Sequence, residues 1–233
     1  MESTPPLRAN VLRRRNFGAI ARSLAFSLIY QRLILQDLDP YLAACPVIDW
    51  HHPAITAQAL ILADDSVEQT VINCFEFVRD QIEHVIDFQR DTMTIKASEV
   101  LIQGSSLCFG KSHLLVALLR ANGIAAGLCY QRLRWDGADS ALSWHGLVAY
   151  WLASHGWHRC DPRGNSSLGV NAQCKIGQDD FAFALTHSGE QLFAEIWAQP
   201  WPALVTHLER CATVDAYCNY PFDDSAAELT LVA

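Results

Sequence analysis

The chain contains one long segment with the hydrophobic periodicity of an amphipathic helix. Between residues 66 and 88, apolar side chains recur at spacings of three and four, which places them on a single stripe. Ser66 and Gln69 have the spacing of a capping box and mark the start of the helix. The apolar positions are Val67, Val71, Cys74, Phe75, Val78, Ile82, Val85 and Ile86. We therefore predict a helix with one face in a core.

A second helical segment is apolar on nearly all sides. It covers residues 107–121, follows the turn Gly104-Ser105-Ser106, and stops at Asn122-Gly123, where glycine suits the left-handed cap position. A helix without a polar face belongs in the middle of a domain. A shorter helix is predicted over residues 98–103.

Downstream, the pattern changes to strands. Tyr, Trp, Val and Leu enrich residues 124–133, 143–152 and 156–161, and turn residues separate these segments. A last helix is predicted over residues 202–217. Helices followed by a strand meander predict an α+β fold, with a helical N-terminal part and a central helix packed on a mainly antiparallel sheet.

Length and charge indicate one domain with an appendage. The 233 residues are 51% hydrophobic and 18% charged, which is enough to bury a core. The whole chain carries −8, whereas residues 1–36 hold six arginines and one acidic residue, so residues 37–233 carry −13. This acidic balance argues against a nucleic-acid partner. We predict a basic extension or helix over 1–36, a single domain over 37–233 with its core at about 65–170, and no membrane span.

The N-terminal segment leaves three interpretations open. Arg14-Arg15 and the apolar stretch 18–30 resemble a twin-arginine export signal, although Arg22 interrupts the stretch and no clear cleavage site follows. A basic helix on the domain, or an upstream extension of the true start, also fits. Eight cysteines without a Cys-x-x-Cys pair, in a chain too long for a small disulfide-stapled domain, indicate reduced thiols and favour the cytoplasm.

One cysteine, Cys108, is distinguished by its position. It lies in the first turn of the predicted central helix, where unpaired backbone N–H groups and the positive end of the helix dipole favour an anion. A thiol in such a place can have a lowered pKa, and the same N–H groups could hold an oxyanion. Lys111, one turn on, adds positive charge. The alternative is a buried cysteine without chemistry.

Two downstream residues are candidate partners for this thiol. His145 lies inside the apolar strand 143–152, where an ionisable ring needs a polar partner. If the following hairpin is centred on Ala153, Asp161 faces His145 directly, about 5 Å away and on the same side of the sheet. The carboxylate would then fix the imidazole tautomer and leave the other nitrogen for the thiol. The alternatives are a core histidine bonded to backbone and an aspartate of the turn Asp161-Pro162-Arg163-Gly164.

These residues fall in segments that resemble the core of the transglutaminase-like superfamily. Residues 97–126 resemble its glycine turn, cysteine helix and Arg-x-x-Gly-Ile-x-Ala sequence. Residues 144–148 resemble its histidine strand, 156–163 its aspartate strand, and 75–82 its leading helix. The resemblance covers about residues 65–170, and the order of the three motifs agrees with the family.

The resemblance implies a papain-like Cys-His-Asp site. Cys108 would be the nucleophile, His145 the general base and then acid, and Asp161 the orienting carboxylate. Relatives often carry glycine beside the cysteine, where this chain has Ser105-Ser106-Leu107, and this difference puts the second oxyanion donor in doubt. Gln103 could supply it, or could instead bond the turn as a helix-end amide.

Three further side chains are candidates for substrate binding, and neither a metal nor another cofactor is expected. Lys111 is close to the thiol in sequence, and Arg163 and Asn165 follow the aspartate closely enough to line a cleft or to stabilise a turn. A metal site at His155, His158 and Cys160 lacks a fourth ligand. The segment from Gly104 to Gly110-Lys111-Ser112 resembles a phosphate-binding loop, but its glycines are one residue too far apart.

The resemblance implies thiol-dependent acyl transfer or hydrolysis. The substrate would be a peptide, protein or small amide, or an ester, and the Cys108 acyl-thioester would be released by water or an amine. Hydrolysis is favoured for a small acidic domain. The alternative is a non-catalytic binding module that retains the fold, in which residues 1–36 could dock a partner or cover the cleft.

Overall fold

The computed structural model describes residues 37–223, except for residues 136 and 168. The basic segment 1–36 lies outside the described residues, so all three interpretations of it stay predictions. From Asp39 onward, the described chain is a single compact unit. Among the described residues, no helix is long and apolar enough to cross a membrane.

Four helices and a small parallel ladder precede the main sheet. The helices are α1 (Pro53–Leu62), α2 (Val67–Gln81), α3 (Ala97–Gln103) and α4 (Cys108–Ala121). The two-residue strands β1 (Glu83–His84) and β2 (Ser105–Ser106) pair in parallel between them. The hydroxyl of Ser66 accepts the backbone N–H of Gln69 and caps α2, as the sequence predicts.

The main sheet has four antiparallel strands in the order β5-β4-β3-β6. They are β3 (Ala126–Arg134), β4 (Leu142–Leu152), β5 (Gly156–Cys160) and β6 (Gln191–Leu192). The first three agree with the predicted strands to within two residues at each end. The predicted fold class, α+β with a mainly antiparallel sheet, is confirmed.

Helix α4 is the centre of the fold. Its residues from Cys108 to Arg120 are all buried, as expected for a helix that is apolar on nearly all sides. Helices α1, α2 and α3 pack around it, and β3 and β4 contact it from the sheet. Just beyond its end, Gly123 has φ +72°, the left-handed conformation that the sequence predicts there.

The two faces of the sheet bury different side chains. Leu128 and Val148 belong to the main core that contains α4. Leu147 and Ala149 lie in a smaller apolar cluster on the opposite face. His145 shares this second face, because alternate residues of a strand point to the same side.

The hairpin between β4 and β5 differs from its predicted register. Its pairing is centred on Ser154 rather than Ala153, and the turn ends at Gly156, whose φ of +78° is left-handed. Asp161 therefore lies just beyond β5 and does not face His145 directly, so that prediction is wrong. The observed register differs from the predicted one by an even number of positions. His145 and Asp161 therefore stay on the same side of the sheet, as diagonal neighbours.

Helix α2 is shorter than the apolar stripe that predicts it. The helix ends at Gln81, whereas the stripe continues to residue 88. Ile82 has an extended backbone, and the chain then enters β1. The last apolar positions of the stripe therefore reach the core from a strand and a turn, because pairing with β2 replaces the helical hydrogen bonds.

The C-terminal helix predicted over residues 202–217 is in fact two helices. They are α5 (Pro202–Arg210) and α6 (Val214–Asn219). Thr213 has an extended backbone, and its hydroxyl accepts the N–H of Ala216 at 3.1 Å. This cap starts a new helix and interrupts the apolar periodicity that predicted a single one.

Candidate active site

Two glycines allow the parts of the site to approach closely. At Gly110, in the first turn of α4, an added Cβ would lie 2.0 Å from the hydroxyl oxygen of Ser106. At Gly146, in β4, it would lie 2.9 Å from the ring of Phe109 and 3.2 Å from the Cα of that residue. Both positions therefore need glycine. The start of α4 is held against β4, and the candidate thiol and imidazole are brought together.

Cys108 is the first residue of α4. Leu107, before it, has an extended backbone and no side-chain cap, so no side chain of the cap residue satisfies the first-turn N–H groups. Cys108 is 8% exposed and lines a cavity of about 600 Å³. A thiol at a helix start with access to a cavity is the arrangement that the sequence predicts.

His145 and Asp161 form a hydrogen bond beside the hairpin. The Nε2–H of the ring donates to Oδ2 of the carboxylate at 2.7 Å. The thiol of Cys108 lies close enough to the same ring to influence its pKa. Phe183 packs edge-on against the imidazole, with ring centroids 5.3 Å apart. The ring therefore lies between a carboxylate and a thiol.

Asp161 is completely buried, and both of its oxygens accept hydrogen bonds. Oδ1 accepts the N–H of Arg163 at 3.0 Å, and Oδ2 accepts the N–H of Ala182 at 3.1 Å as well as that of His145. Burial opposes ionisation, but the charge and hydrogen bond of His145 and the two backbone N–H groups outweigh it and lower the pKa of Asp161. The carboxylate is a fixed anion that orients the ring.

The electrostatics of His145 depend on its two neighbours. Burial disfavours the charged imidazole, but the negative charges of Asp161 and of a Cys108 thiolate outweigh the burial and raise the pKa of His145 to about 10. A ring with this basicity can accept the thiol proton. The arrangement fits an activated nucleophile: the Asp161 carboxylate orients the His145 imidazole, and the imidazole can act as a base towards the Cys108 thiol.

One wall of the cavity carries a buried ion pair. Both side-chain nitrogens Nη1 and Nη2 of Arg163 donate to the oxygens of Asp87, at 2.7 and 2.8 Å. Nδ1 of His84 is 3.8 Å from the same carboxylate. Burial and the charge of Arg163 lower the pKa of His84, which keeps this second imidazole neutral. The lining of the cavity also includes Phe109 and Tyr217.

Among the four additional site residues that the sequence suggested, Arg163 lines the cavity and Gln103 does not. Gln103 is exposed at the end of α3 and borders a separate depression with Gln81 and Arg90. Strand β2 intervenes between Gln103 and the thiol and leaves the amide on the outside. The prediction that Gln103 supplies an oxyanion donor is therefore wrong.

Lys111 and Asn165 support the site without lining the cavity. Lys111 is 1% exposed, and its Nζ donates to the carbonyl oxygens of Ile82 and, at 3.3 Å, Arg79. Burial lowers the pKa of Lys111 to about 7. The amide of Asn165 bonds the backbone of Ala172 in both directions, at 3.2 and 2.8 Å, and so fixes the loop. The suggestion that these two residues bind substrate is corrected.

Asp87 and Tyr217 line the cavity, although the sequence marks neither of them as a site residue. Asp87 follows the α2 stripe, and no local motif marks it as the partner of Arg163. Tyr217 comes from α6, beyond the segment that carries the resemblance. Its helical spacing from Val214 was a signal, but that spacing is equally typical of an ordinary core residue.

Within residues 37–223, no group of three or more histidine, cysteine or acidic side chains is arranged to hold a metal ion. None of the eight cysteines, all of which lie in this range, forms a disulfide.

The fold and site define an α+β protein whose central helix presents a cysteine to a histidine–aspartate pair on an antiparallel sheet. Residues 55–162 match the family model of the transglutaminase-like superfamily. This match confirms the resemblance seen in the sequence.

Two solved structures are similar to parts of the chain. A candidate cysteine protease from Cytophaga hutchinsonii is 13% identical, with a TM-score of 0.44 over 56% of this chain and 44% of that one. The periplasmic domain of TgpA from Pseudomonas aeruginosa, bound to ethylmercury, is 18% identical, with a TM-score of 0.39 over 52% and 46%. The chain thus spans less than half the length of either. A comparison with curated proteins finds no match.

Proposed function

We propose that the protein is a thiol-dependent enzyme that hydrolyses or transfers the acyl group of an amide, peptide or ester. The observation that carries this proposal is the position of the His145 ring, which is 2.7 Å from the buried Asp161 carboxylate on one side and next to the Cys108 thiol on the other. The thiol lines a cavity large enough for a small acyl substrate.

In the first half of the reaction, the thiol forms an acyl-thioester. Nδ1 of His145 takes the proton of Cys108, because Nε2 is engaged with Asp161. The sulfur then bonds to the carbonyl carbon, and the carbonyl electron pair moves onto oxygen. When that pair returns, the bond to the leaving group breaks, and the imidazolium gives its proton to the departing amine or alkoxide.

In the second half, the thioester is released. The neutral imidazole takes a proton from water, and the hydroxide oxygen bonds to the carbonyl carbon. As the carbon–sulfur bond breaks, the imidazolium returns its proton to the sulfur, which regenerates the thiol and the neutral imidazole. A primary amine in place of water gives a transferred acyl group by the same steps. We favour water over an amine as the acyl acceptor, since hydrolysis requires no part of the cavity to bind a second substrate.

Iodoacetamide labelling near neutral pH, followed by mapping of the alkylated cysteines, tests the proposal. Cys108 should alkylate at least about tenfold faster than Cys218, which is exposed and lies outside the cavity. Cys108→Ala should remove the fast-labelled site, and His145→Ala should slow labelling at Cys108. Cys218→Ser is the matched control and should leave the fast site unchanged.

The same experiment separates the enzyme from the alternative, a binding module that keeps the fold. Alkylation of Cys108 no faster than that of Cys218, together with unchanged labelling in His145→Ala, would contradict the proposal and favour the binding module.

A further inference from the structure

The hydroxyl of Tyr217 is a buried polar group without a partner. Tyr217 is 1% exposed, and its oxygen forms no hydrogen bond within the part of the chain that the structure describes. Two other buried tyrosines use their hydroxyls: that of Tyr130 accepts the N–H of Trp201 at 3.2 Å, and that of Tyr150 donates to the carbonyl of Lys175 at 3.4 Å. An unpaired buried hydroxyl is unfavourable and calls for an explanation.

The residue that carries this hydroxyl lines the cavity of the candidate active site. Tyr217 lines that cavity together with Cys108 and His145. Its ring packs edge-on against Phe109, the residue after the thiol, with centroids 6.3 Å apart. The hydroxyl of Ser143, which also forms no well-aligned hydrogen bond among the described residues, lies near enough to the Tyr217 hydroxyl to influence its pKa. Two buried hydroxyls beside the cavity thus keep hydrogen-bonding capacity that the fold does not use.

The helix that carries Tyr217 is firmly anchored. The hydroxyl of Thr213 accepts the N–H of Ala216 at 3.1 Å and caps the start of α6. The carboxylate of Asp91 accepts the N–H of Asp215 at 2.9 Å. A donor held in this way needs no reorganisation when charge develops beside it, which is the condition for electrostatic stabilisation of a transition state.

The Tyr217 hydroxyl also keeps its proton. Burial and the negative charge of Cys108 raise the pKa of Tyr217. The group is therefore a neutral O–H donor throughout the range in which the thiol reacts.

A second unpartnered donor in the cavity wall, Nε1 of Trp144, is less suitable. Trp144 precedes His145 in β4, so its side chain points to the face of the sheet opposite to that of His145. Its ring is packed against Phe193 and Trp201, with centroids 5.1 and 5.0 Å away.

We propose that the Tyr217 hydroxyl is the second oxyanion donor of the acyl-transfer reaction, beside the backbone N–H of Cys108. This inference rests on the proposed function. As the sulfur–carbon bond forms, the carbonyl oxygen gains the electron pair and accepts the hydrogen bond of the phenol. When the pair returns and the leaving group departs, the phenol still holds its proton. Tyr217 thereby supplies the group that Gln103 does not.

Two probes of Cys108 separate this role from an effect on the thiol. p-Nitrophenyl acetate acylates the sulfur through an oxyanion, whereas iodoacetamide alkylates it by displacing iodide without one. The variant Tyr217→Phe keeps the ring and removes only the hydroxyl. We expect acylation of Cys108 to fall about 10²-fold or more and alkylation to change less than about twofold. The control Tyr220→Phe, at a tyrosine that is 78% exposed, should change neither rate.

Other outcomes overturn the proposal in distinguishable ways. Equal acylation rates in Tyr217→Phe and the wild type would exclude a role for the hydroxyl. A parallel fall of acylation and alkylation would mean that Tyr217 acts on the thiol or on the fold, which a thermal unfolding curve of the same variant separates. A wild-type Cys108 that reacts with neither probe faster than Cys218 does would overturn the proposed function itself.

Discussion

Two carboxylates near the same cavity, the fully buried Asp161 and the largely buried Asp87, each hold a basic side chain, and the two pairs differ in what that side chain can do. Asp161 holds the imidazole of His145, and Asp87 holds the guanidinium of Arg163. Both carboxyl groups have lowered pKa values, because charge and hydrogen bonds outweigh burial. The imidazole can exchange a proton, whereas the guanidinium cannot. A buried acid–base pair is therefore a catalytic candidate only where its proton can move to a nucleophile such as Cys108.

The second pair positions the first. The side chain of Arg163 is fixed on Asp87, while its backbone N–H donates to Asp161 at 3.0 Å. The hydroxyls of Ser166 and Ser167 also donate to Asp87. This network holds the loop after β5 in place, and with it the carboxylate that orients the imidazole.

The largest expected effect comes from Asp161→Asn. The amide keeps the size of the side chain but neither holds the negative charge nor fixes the imidazole tautomer, so acylation of Cys108 by p-nitrophenyl acetate should fall about 10²- to 10⁴-fold. The largest cause that raises the pKa of His145 also disappears, so the alkaline limit of acylation should move to lower pH than in the wild type. Rates measured across the pH range test both effects. A fall of less than about threefold would contradict the proposed role of Asp161.

The same substitution should change how stability depends on pH. The pKa of His145 is raised in the fold, so its contribution to the free energy of unfolding is fully present below the ordinary histidine pKa of about 6.5. This contribution is lost as the pH rises through about 10. Urea unfolding across this window should show a decline for the wild type that is weaker in Asp161→Asn.

An intermediate effect, on stability rather than on the reaction, is expected for Asp87→Asn. The change leaves the guanidinium of Arg163 buried without its counter-charge, so the free energy of unfolding should fall by about 2 kcal/mol. Acylation should stay within about threefold of the wild type, because the backbone N–H of Arg163 still reaches Asp161. Urea unfolding and the acylation rate measure the two effects.

The matched control for that variant is Asp80→Asn. Asp80 is 43% exposed and pairs with Arg79 at 2.7 Å, so its loss should cost less than about 0.5 kcal/mol. If Asp87→Asn instead abolished acylation while the fold stayed stable, the division between a catalytic and a positioning pair would be wrong.

The sequence predicts the parts of this comparison that depend on local signals. The all-round apolar pattern of α4 and the turn before it place Cys108 at a helix start, and strand alternation places His145 and Asp161 on one side of the sheet. The hairpin register was missed, because it depends on where the turn closes at Gly156.

Contacts between distant segments explain the remaining differences. Asp87 pairs with Arg163 across 76 positions of the chain, and Tyr217 enters the cavity from a helix well beyond the family motifs. Gln103 lies only five residues before the thiol, yet β2 leaves it on the outside. Proximity in sequence was thus a poor guide to which polar side chains share the cavity.

The smallest effect is expected for Lys111→Met, which tests whether this lysine belongs to the site or only supports it. Lys111 does not line the cavity, so acylation near neutral pH should stay within about twofold of the wild type. A fall of more than tenfold would restore the substrate contact that the sequence suggested.

The pH dependence of stability separates the two interpretations of Lys111 further. The pKa of Lys111 is lowered to about 7, so the fold disfavours its charged form, and this cost is relieved as the pH rises from about 7 towards the ordinary lysine value of about 10.4. The free energy of unfolding of the wild type should therefore increase relative to that of Lys111→Met between about pH 6 and about pH 9. A difference between the two proteins that does not depend on pH would show that the fold does not lower the pKa of Lys111.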